Sequence, residues 1–454
     1  MKKGWMLGMA ALAAVGVANS AQASEVKMGG YYFFGAQNSD TTVTKGAANN
    51  DDTNYYVQRL QLQLDFLASQ KSHAHMVTRV IDTGTVQGAD QRVTNSSAVA
   101  APGTVAAGQG DWDVRQLWME TEAWGVGVKA GNMPISLNDG ILVNHDTLGF
   151  GALMLSKSFG DTTVVAAHVK VLEEAVGGAS ANTAGMGASD DDTDLLVLSV
   201  LGKAGKIDYQ VTGGYMNGRK DSDTANGLAR TDANSGVHDE WVALTLGSNV
   251  GGVDLTATGI YEAGWSNNAR TTATNRQADG SGYLGALRAK GKMAMGEWNG
   301  YGFYASSDFD AITPAEAGWS PTWAMDGSWA GNQDLMNLGF ATNAMNAGGG
   351  RASMSENMWG VGAGVTVPAG AWSINPSLDY AAVADKDPGD TGAATTNMDS
   401  AWGGSLLLST EIDKGVTFNV FGSYVSPKWG ANHVSNVLDD KSLHHIQANM
   451  KVAF

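Results

Sequence analysis

LQLQLDF, residues 60–66, alternates apolar and polar side chains at every step. Leu60, Leu62, Leu64 and Phe66 share one face of a strand; Gln61, Gln63 and Asp65 share the other. In a soluble sheet the leucines would face a protein interior. In a barrel that crosses a membrane they would face lipid, and the glutamines a wet lumen. The period of two is the same in both cases, so the choice depends on the rest of the chain.

The two ends of the chain favour the barrel. MKKGWMLGMAALAAVGVANSAQAS opens with Lys2 and Lys3, continues with a short Gly/Ala-rich apolar stretch, and reaches Ala21-Gln22-Ala23. That is the order of a cleaved export signal over 1–23, with a mature barrel domain over 24–454. An uncleaved anchor would need a longer apolar run. At the other end IQANMKVAF, residues 446–454, keeps alternating to its last residue, with Ile446, Ala448, Met450, Val452 and Phe454 on one face.

Composition narrows the class. The 454 residues include no cysteine, 60 glycines and 8 prolines, with 16% charged residues. Absent cysteine excludes disulfide scaffolds, thiol catalysis and cysteine-ligated metal sites. No stretch after the leader is long and apolar enough for a membrane helix. A net charge of −17 argues against nucleic acid as a partner. The sequence contains no Gly-x-Ser-x-Gly elbow, His-Glu-x-x-His pair or P-loop, so no enzyme and no cofactor is expected.

Strand-like runs recur along the whole mature chain, at roughly 24 residues each for eighteen strands. Sixteen strands is the alternative, because the runs at 126–133 and 147–158 are the weakest. The breaks between runs alternate between short and long. Short ones such as FGD at 159–161, GKAGK at 202–206 and NVGG at 249–252 carry the Gly, Asn and Asp of tight turns. Long ones are polar and rich in small residues. A transmembrane antiparallel up-and-down barrel, with short turns on one side and long loops on the other, predicts that asymmetry; a sandwich or β-helix does not. Many of the 14 tryptophans fall near run ends, among them Trp112, Trp124, Trp241, Trp265, Trp298, Trp359, Trp372, Trp402 and Trp429. They are expected in the interfacial girdles of such a barrel.

Several stretches together resemble the Gram-negative outer-membrane porin superfamily. EVKMGGYYFFGAQ (25–37) is similar to a porin first strand, and VRQLWMETEAWGVGVKAGNMPI (114–135) to the porin hairpin leading into the third external loop. The terminal strand resembles the barrel-assembly signal that ends in an aromatic residue, here Phe454. The resemblance implies an outer-membrane homotrimer, inserted by the barrel-assembly machinery, passing small hydrophilic solutes and ions by diffusion. It also implies a third loop folded into the lumen. Here that is PISLNDGILVNHDTLG, 134–149, with Asp139 and Asp146 facing basic residues on the wall. Candidates for those are Arg59, Arg79 and Arg115 on successive strands, with Lys129 pointing inward beside them. Opposed charges across a pore would filter ions, and excess acid would favour cations. A substrate-specific channel and a non-conducting surface or adhesive barrel are the alternatives.

Two further clusters carry little by themselves. Asp190, Asp191, Asp192 and Asp194 could hold Ca²⁺ but read more simply as a solvated loop. His73 and His75 share a face without an evident third metal ligand.

Overall fold

Alternation of this kind can satisfy every backbone hydrogen bond only if the sheet closes on itself, and it does. The computed structural model describes residues 25–40, 53–69, 71–86, 92–94, 113–138, 140–141, 143–172, 193–218, 237–265, 281–306, 358–383, 398–429 and 442–454. The described residues form β-strands, tight turns and no helix. The strands are β1 (Glu25–Asp40), β2 (Thr53–Ser69), β3 (Ser72–Val86), β4 (Arg92–Thr94), β5 (Asp113–Ala123) and β6 (Val126–Leu137). They continue as β7 (Val143–Phe159), β8 (Thr162–Leu172), β9 (Thr193–Ala204), β10 (Ile207–Gly218), β11 (Val237–Val250), β12 (Val253–Trp265) and β13 (Ser281–Met293). The last are β14 (Gly296–Ala305), β15 (Met358–Ala369), β16 (Trp372–Val383), β17 (Met398–Asp413), β18 (Val416–Trp429) and β19 (Leu443–Ala453).

Every pairing is antiparallel between chain neighbours, and β1 closes the ring by pairing with β19 as well as β2. The three-residue β4 pairs only with the end of β3, which goes on to β5. Leaving β4 aside, the ring has eighteen strands. The two weak runs are strands: β6 and β7 extend them to Val126–Leu137 and Val143–Phe159. At the seam Phe454 and Gly30 exchange two backbone hydrogen bonds of 3.1 Å.

All eight connections on one side are two residues long, from β2–β3 to β17–β18. In Trp124–Gly125 and Gly251–Gly252 both residues have positive φ, at 54° and 72° and at 62° and 87°. Type I′ hairpin turns need that geometry.

The register sorts the side chains into two faces. Val26 pairs with Phe66 and Met28 with Leu64, all on one face, where Val26 and Met28 are well exposed. The same face carries Leu196, Leu198, Val242, Leu244, Tyr261, Tyr283, Leu287, Tyr304, Trp359, Tyr380, Trp402 and Tyr424 around the ring, all exposed. This is the outside. Gln61, Gln63 and Asp65 lie on the opposite face with Tyr31 and His75, towards the lumen. The leucines of LQLQLDF therefore point out of the barrel.

Not every tryptophan joins a girdle. Trp298, Trp359, Trp372 and Trp402 lie on the outer face, and Trp124 stands almost wholly exposed in its turn. Trp241 instead faces inward, 4% exposed, because its neighbours Val242 and Leu244 take the outer positions. Trp112 and the side chains of Trp265 and Trp429 lie outside the described residues.

Candidate functional site: the lumen and its inward hairpin

The inner wall is polar in ladders. Ser199 and Thr212 hydroxyls are 3.1 Å apart, and Gln210 Nε2 donates to Ser199 Oγ at 3.2 Å. Thr245 and Thr258 hydroxyls are 3.0 Å apart, and those of Ser377 and Ser405 2.6 Å. Asn419 Nδ2 donates to Asn449 Oδ1 at 2.9 Å, and the Tyr31 hydroxyl to Gln61 Oε1 at 3.3 Å.

One element leaves the wall. The β6–β7 ladder runs regularly to Met133↔Phe150 and resumes at Ile135↔His145. Pro134 is passed over on one strand and residues 146–149 on the other. Proline has no N–H to give a ladder, so the sheet is interrupted there and the hairpin beyond it can change direction. Just below, Gly131 has φ 123°, and a Cβ there would lie 2.3 Å from the Leu117 carbonyl oxygen. Only glycine allows β5 and β6 to approach so closely.

Beyond the break the hairpin folds inward. Met133, Ile135, Leu137, Ile141 and Phe150 form one cluster with inward side chains of six wall strands. The wall supplies Val169 on β8, Leu195 and Val197 on β9, and Trp241 and Ala243 on β11. It also supplies Ile260 on β12, Leu284 on β13, and Phe303 and Ala305 on β14. A hairpin between neighbouring strands reaches that far round a closed ring only by crossing its interior. Its tip is fixed by Asn138, fully buried with φ 53°, whose Nδ2 donates to Thr245 Oγ1 at 3.2 Å. Backbone bonds from Gly140 N to Leu137 O and from Ile141 N to Asn138 O, both 3.2 Å, close the turn.

The segment 134–149 is thus a paired hairpin with a short connection rather than a free loop. Among the described residues, its contacts with the wall given above are apolar apart from the Asn138 amide. Of the acids expected on it, Asp139 lies outside the described residues, and Asp146 falls in the stretch passed over by the ladder, with its side chain undescribed. Position 59 pairs with Phe33 and Asp82, and position 79 with Gln61 and Asp113. Position 115 is the residue passed over between Val77↔Gln116 and Thr78↔Val114. Nothing is described of these three arginine side chains.

Lys129 is described in full. It pairs with Glu120 on β5 and Met154 on β7, and its Nζ lies 3.7 Å from the centre of the Trp118 ring. Trp118 touches the hairpin cluster on one side and two histidines on the other, at 5.1 Å from His75 and 5.5 Å from His73. His75 Nδ1 bonds Asp65 Oδ1, and His73 Nε2 lies 3.8 Å from Glu120 Oε2. These groups make a charged patch on the β2–β6 wall at the root of the hairpin. A second charged row, Arg288, Lys290 and Lys292, takes alternate inward positions on β13, opposite Asp254 on β12 and Glu297 on β14. Strict alternation in LRAKGK (287–292) was the available signal for it. The inward Trp118, Asn138 and Trp241 had none.

On the outer face, Asp194 is bonded to Lys170 Nζ at 2.9 Å and His168 Nε2 at 3.0 Å. It belongs to a strand rather than to an acidic loop; Asp190, Asp191 and Asp192 lie outside the described residues. Among the described residues no three acid or histidine side chains converge to hold a metal ion.

No protein-family model matches the chain, and no curated protein is similar to it in sequence. Solved structures do match. A BenF-like porin from Pseudomonas fluorescens Pf-5 superposes with a TM-score of 0.54 at 8% identity, over 95% of this chain and 98% of that one. OccK8 (OprE) of Pseudomonas aeruginosa gives 0.53 at 13%, with the same coverage. OccK2 (OpdF) of the same organism, solved in complex with glucuronate, gives 0.53 at 10%, again over 95% and 98%. At such identities the likeness is one of fold: this chain is a closed antiparallel barrel that superposes end to end on solved porins.

Proposed function

We propose that the protein is an outer-membrane porin, a water-filled channel through which small hydrophilic solutes and ions diffuse. The observation that carries this reading is the β6–β7 hairpin, folded inside a closed barrel and seated against β8–β14. An apolar exterior with aromatic residues at its margins suits lipid. A polar inner wall suits water, and an ordered internal hairpin narrows the passage without blocking the whole ring. A purely structural barrel has no use for such a constriction. The reading extends to export on a signal over 1–23, which lies outside the described residues, and to a homotrimer inserted by the barrel-assembly machinery through the strand ending in Phe454. It extends also to a preference for cations, supported by the net charge of −17.

A substrate-specific channel is the second reading. Phe33, Phe421 and Asn449 face inward yet are only 1%, 1% and 3% exposed. Such aromatic and amide side chains, held in place by their neighbours, offer a fixed lining to a chosen solute.

Single-channel recording in a planar lipid bilayer under a KCl gradient tests the proposal. Discrete openings are expected, in groups of three for a trimer, with a reversal potential of the cation-selective sign. A silent bilayer, with the protein shown to be inserted and folded, would overturn the channel reading and leave a surface or adhesive role.

A further inference from the structure

Among the described residues, the patch at the root of the hairpin differs from the charged row on β13 in holding two imidazoles. His73 and His75 occupy successive inward positions of β3, and each faces a carboxylate from a different neighbouring strand: Asp65 on β2 for His75, Glu120 on β5 for His73. Both rings touch Trp118. Lys129 of β6 covers that indole from a further side. Lys27 of β1 is the register partner of Asp65. Nearer the turn, Lys71 and Glu122 pair with each other at 2.8 Å. Arg79 and Arg115 lie further along β3 and β5, beyond the patch. The side chains of His73, Asp65 and Glu120 are 29%, 34% and 46% exposed, so the patch meets the lumen water.

We propose that His73 and His75 are selectivity-determining residues, a protonation-dependent charge patch on the channel wall that sets the balance between cations and anions. The inference rests on the channel reading above. Lys27 also pairs with Glu25 on the same face of β1, at 3.8 Å. With both imidazoles neutral, Glu25, Asp65 and Glu120 stand against Lys27 and Lys129, three negative charges to two positive. With both protonated the balance becomes four positive to three negative. Imidazole is the side chain that ordinarily changes charge between about pH 5 and 8. The net charge of the patch therefore reverses sign with the charge of its two imidazoles. Wall charge at a narrow place acts directly on passing ions, because a confined lumen screens it less than open solution does. The Trp118 ring ties the patch to the hairpin cluster, and His73 is the second residue of β3, so the charge lies between the short-turn rim and the hairpin.

The test is the reversal potential of the full-length mature protein in a planar bilayer under a KCl gradient, at pH 7.5 and pH 5.5. The potassium-to-chloride permeability ratio of the wild type is expected to fall roughly twofold or more on acidification. The change should shrink in His73→Gln and vanish in the His73→Gln/His75→Gln pair. His168→Gln, on the outer face, should leave it intact. His73→Gln alters a partly exposed side chain and serves if the double variant folds poorly. A wild-type ratio independent of pH overturns the inference and leaves the channel standing, as does a pH dependence equal in wild type and variants. A folded, inserted protein that passes no current overturns the channel reading and this one with it.

Discussion

The sharpest consequence concerns what holds the hairpin inside the barrel. Ile135 and Leu137 lie beyond the break in the ladder and are 4% and 9% exposed within the cluster against β8–β14. Truncating one such side chain to alanine costs about 2–5 kcal/mol. The two are close together and their costs need not add, so the low end, about 4 kcal/mol for the pair, is the safer figure. At about 1.4 kcal/mol per tenfold, the ratio of docked to undocked hairpin falls roughly a thousandfold. The Asn138 to Thr245 bond alone, worth about 1 kcal/mol, would not restore it. The ring itself is spared, because its ladder passes below Met133↔Phe150 and these residues pair only within the hairpin. Ile135→Ala/Leu137→Ala should therefore fold with the wild-type β signal in circular dichroism. In single-channel recordings it should show higher conductance and noisier open-state current. Wild-type conductance and noise in a folded double variant would mean that apolar packing does not hold the hairpin, or that the hairpin does not narrow the path.

Two other expectations follow from the wall. Gly131→Val places a side chain at φ 123° with its Cβ 2.3 Å from Leu117 O and 2.7 Å from Trp118 Cα; backbone strain alone costs about 1–3 kcal/mol, so the urea midpoint in detergent should drop, and an unchanged midpoint would contradict the close approach of β5 and β6. Leu244→Arg, midway along β11 on the outer face, should cost about 2–4 kcal/mol against lipid and lower the folding yield into vesicles, whereas Gln63→Arg on the lumen side of β2 should not; equal yields would refute the assignment of faces.

Local chemistry was enough to read much of this molecule from its residues. Two-residue turns betray themselves by Gly, Asn and Asp, so FGD and NVGG mark real hairpins at Gly160–Asp161 and Gly251–Gly252. Alternation reveals a strand wherever it is unbroken, as in LQLQLDF, and the register bears out its split into an outer and an inner face. Alternation fails where the ladder has an extra residue, because one inserted position sends every later side chain to the other face. HAHMVTRVID reads poorly for that reason: Val80 is passed over between Leu60↔Ile81 and Gln61↔Arg79. Arg115 is ambiguous for the same reason, since it is itself passed over between β3 and β5.

Period, turn residues and composition are local properties, and they suffice to read an all-β chain of short-turned hairpins with one apolar and one polar face. Strand number is a matter of pairing around the ring, since runs as weak as 126–133 and 147–158 become strands through their partners. Pairing also turns Trp241 inward to meet the hairpin rather than outward. The hairpin's seat against the wall belongs to the same class: Asn138 and Thr245 are 107 residues apart. Such contacts depend on closing the ring, and no local pattern in the chain encodes which residues a closed ring will bring face to face.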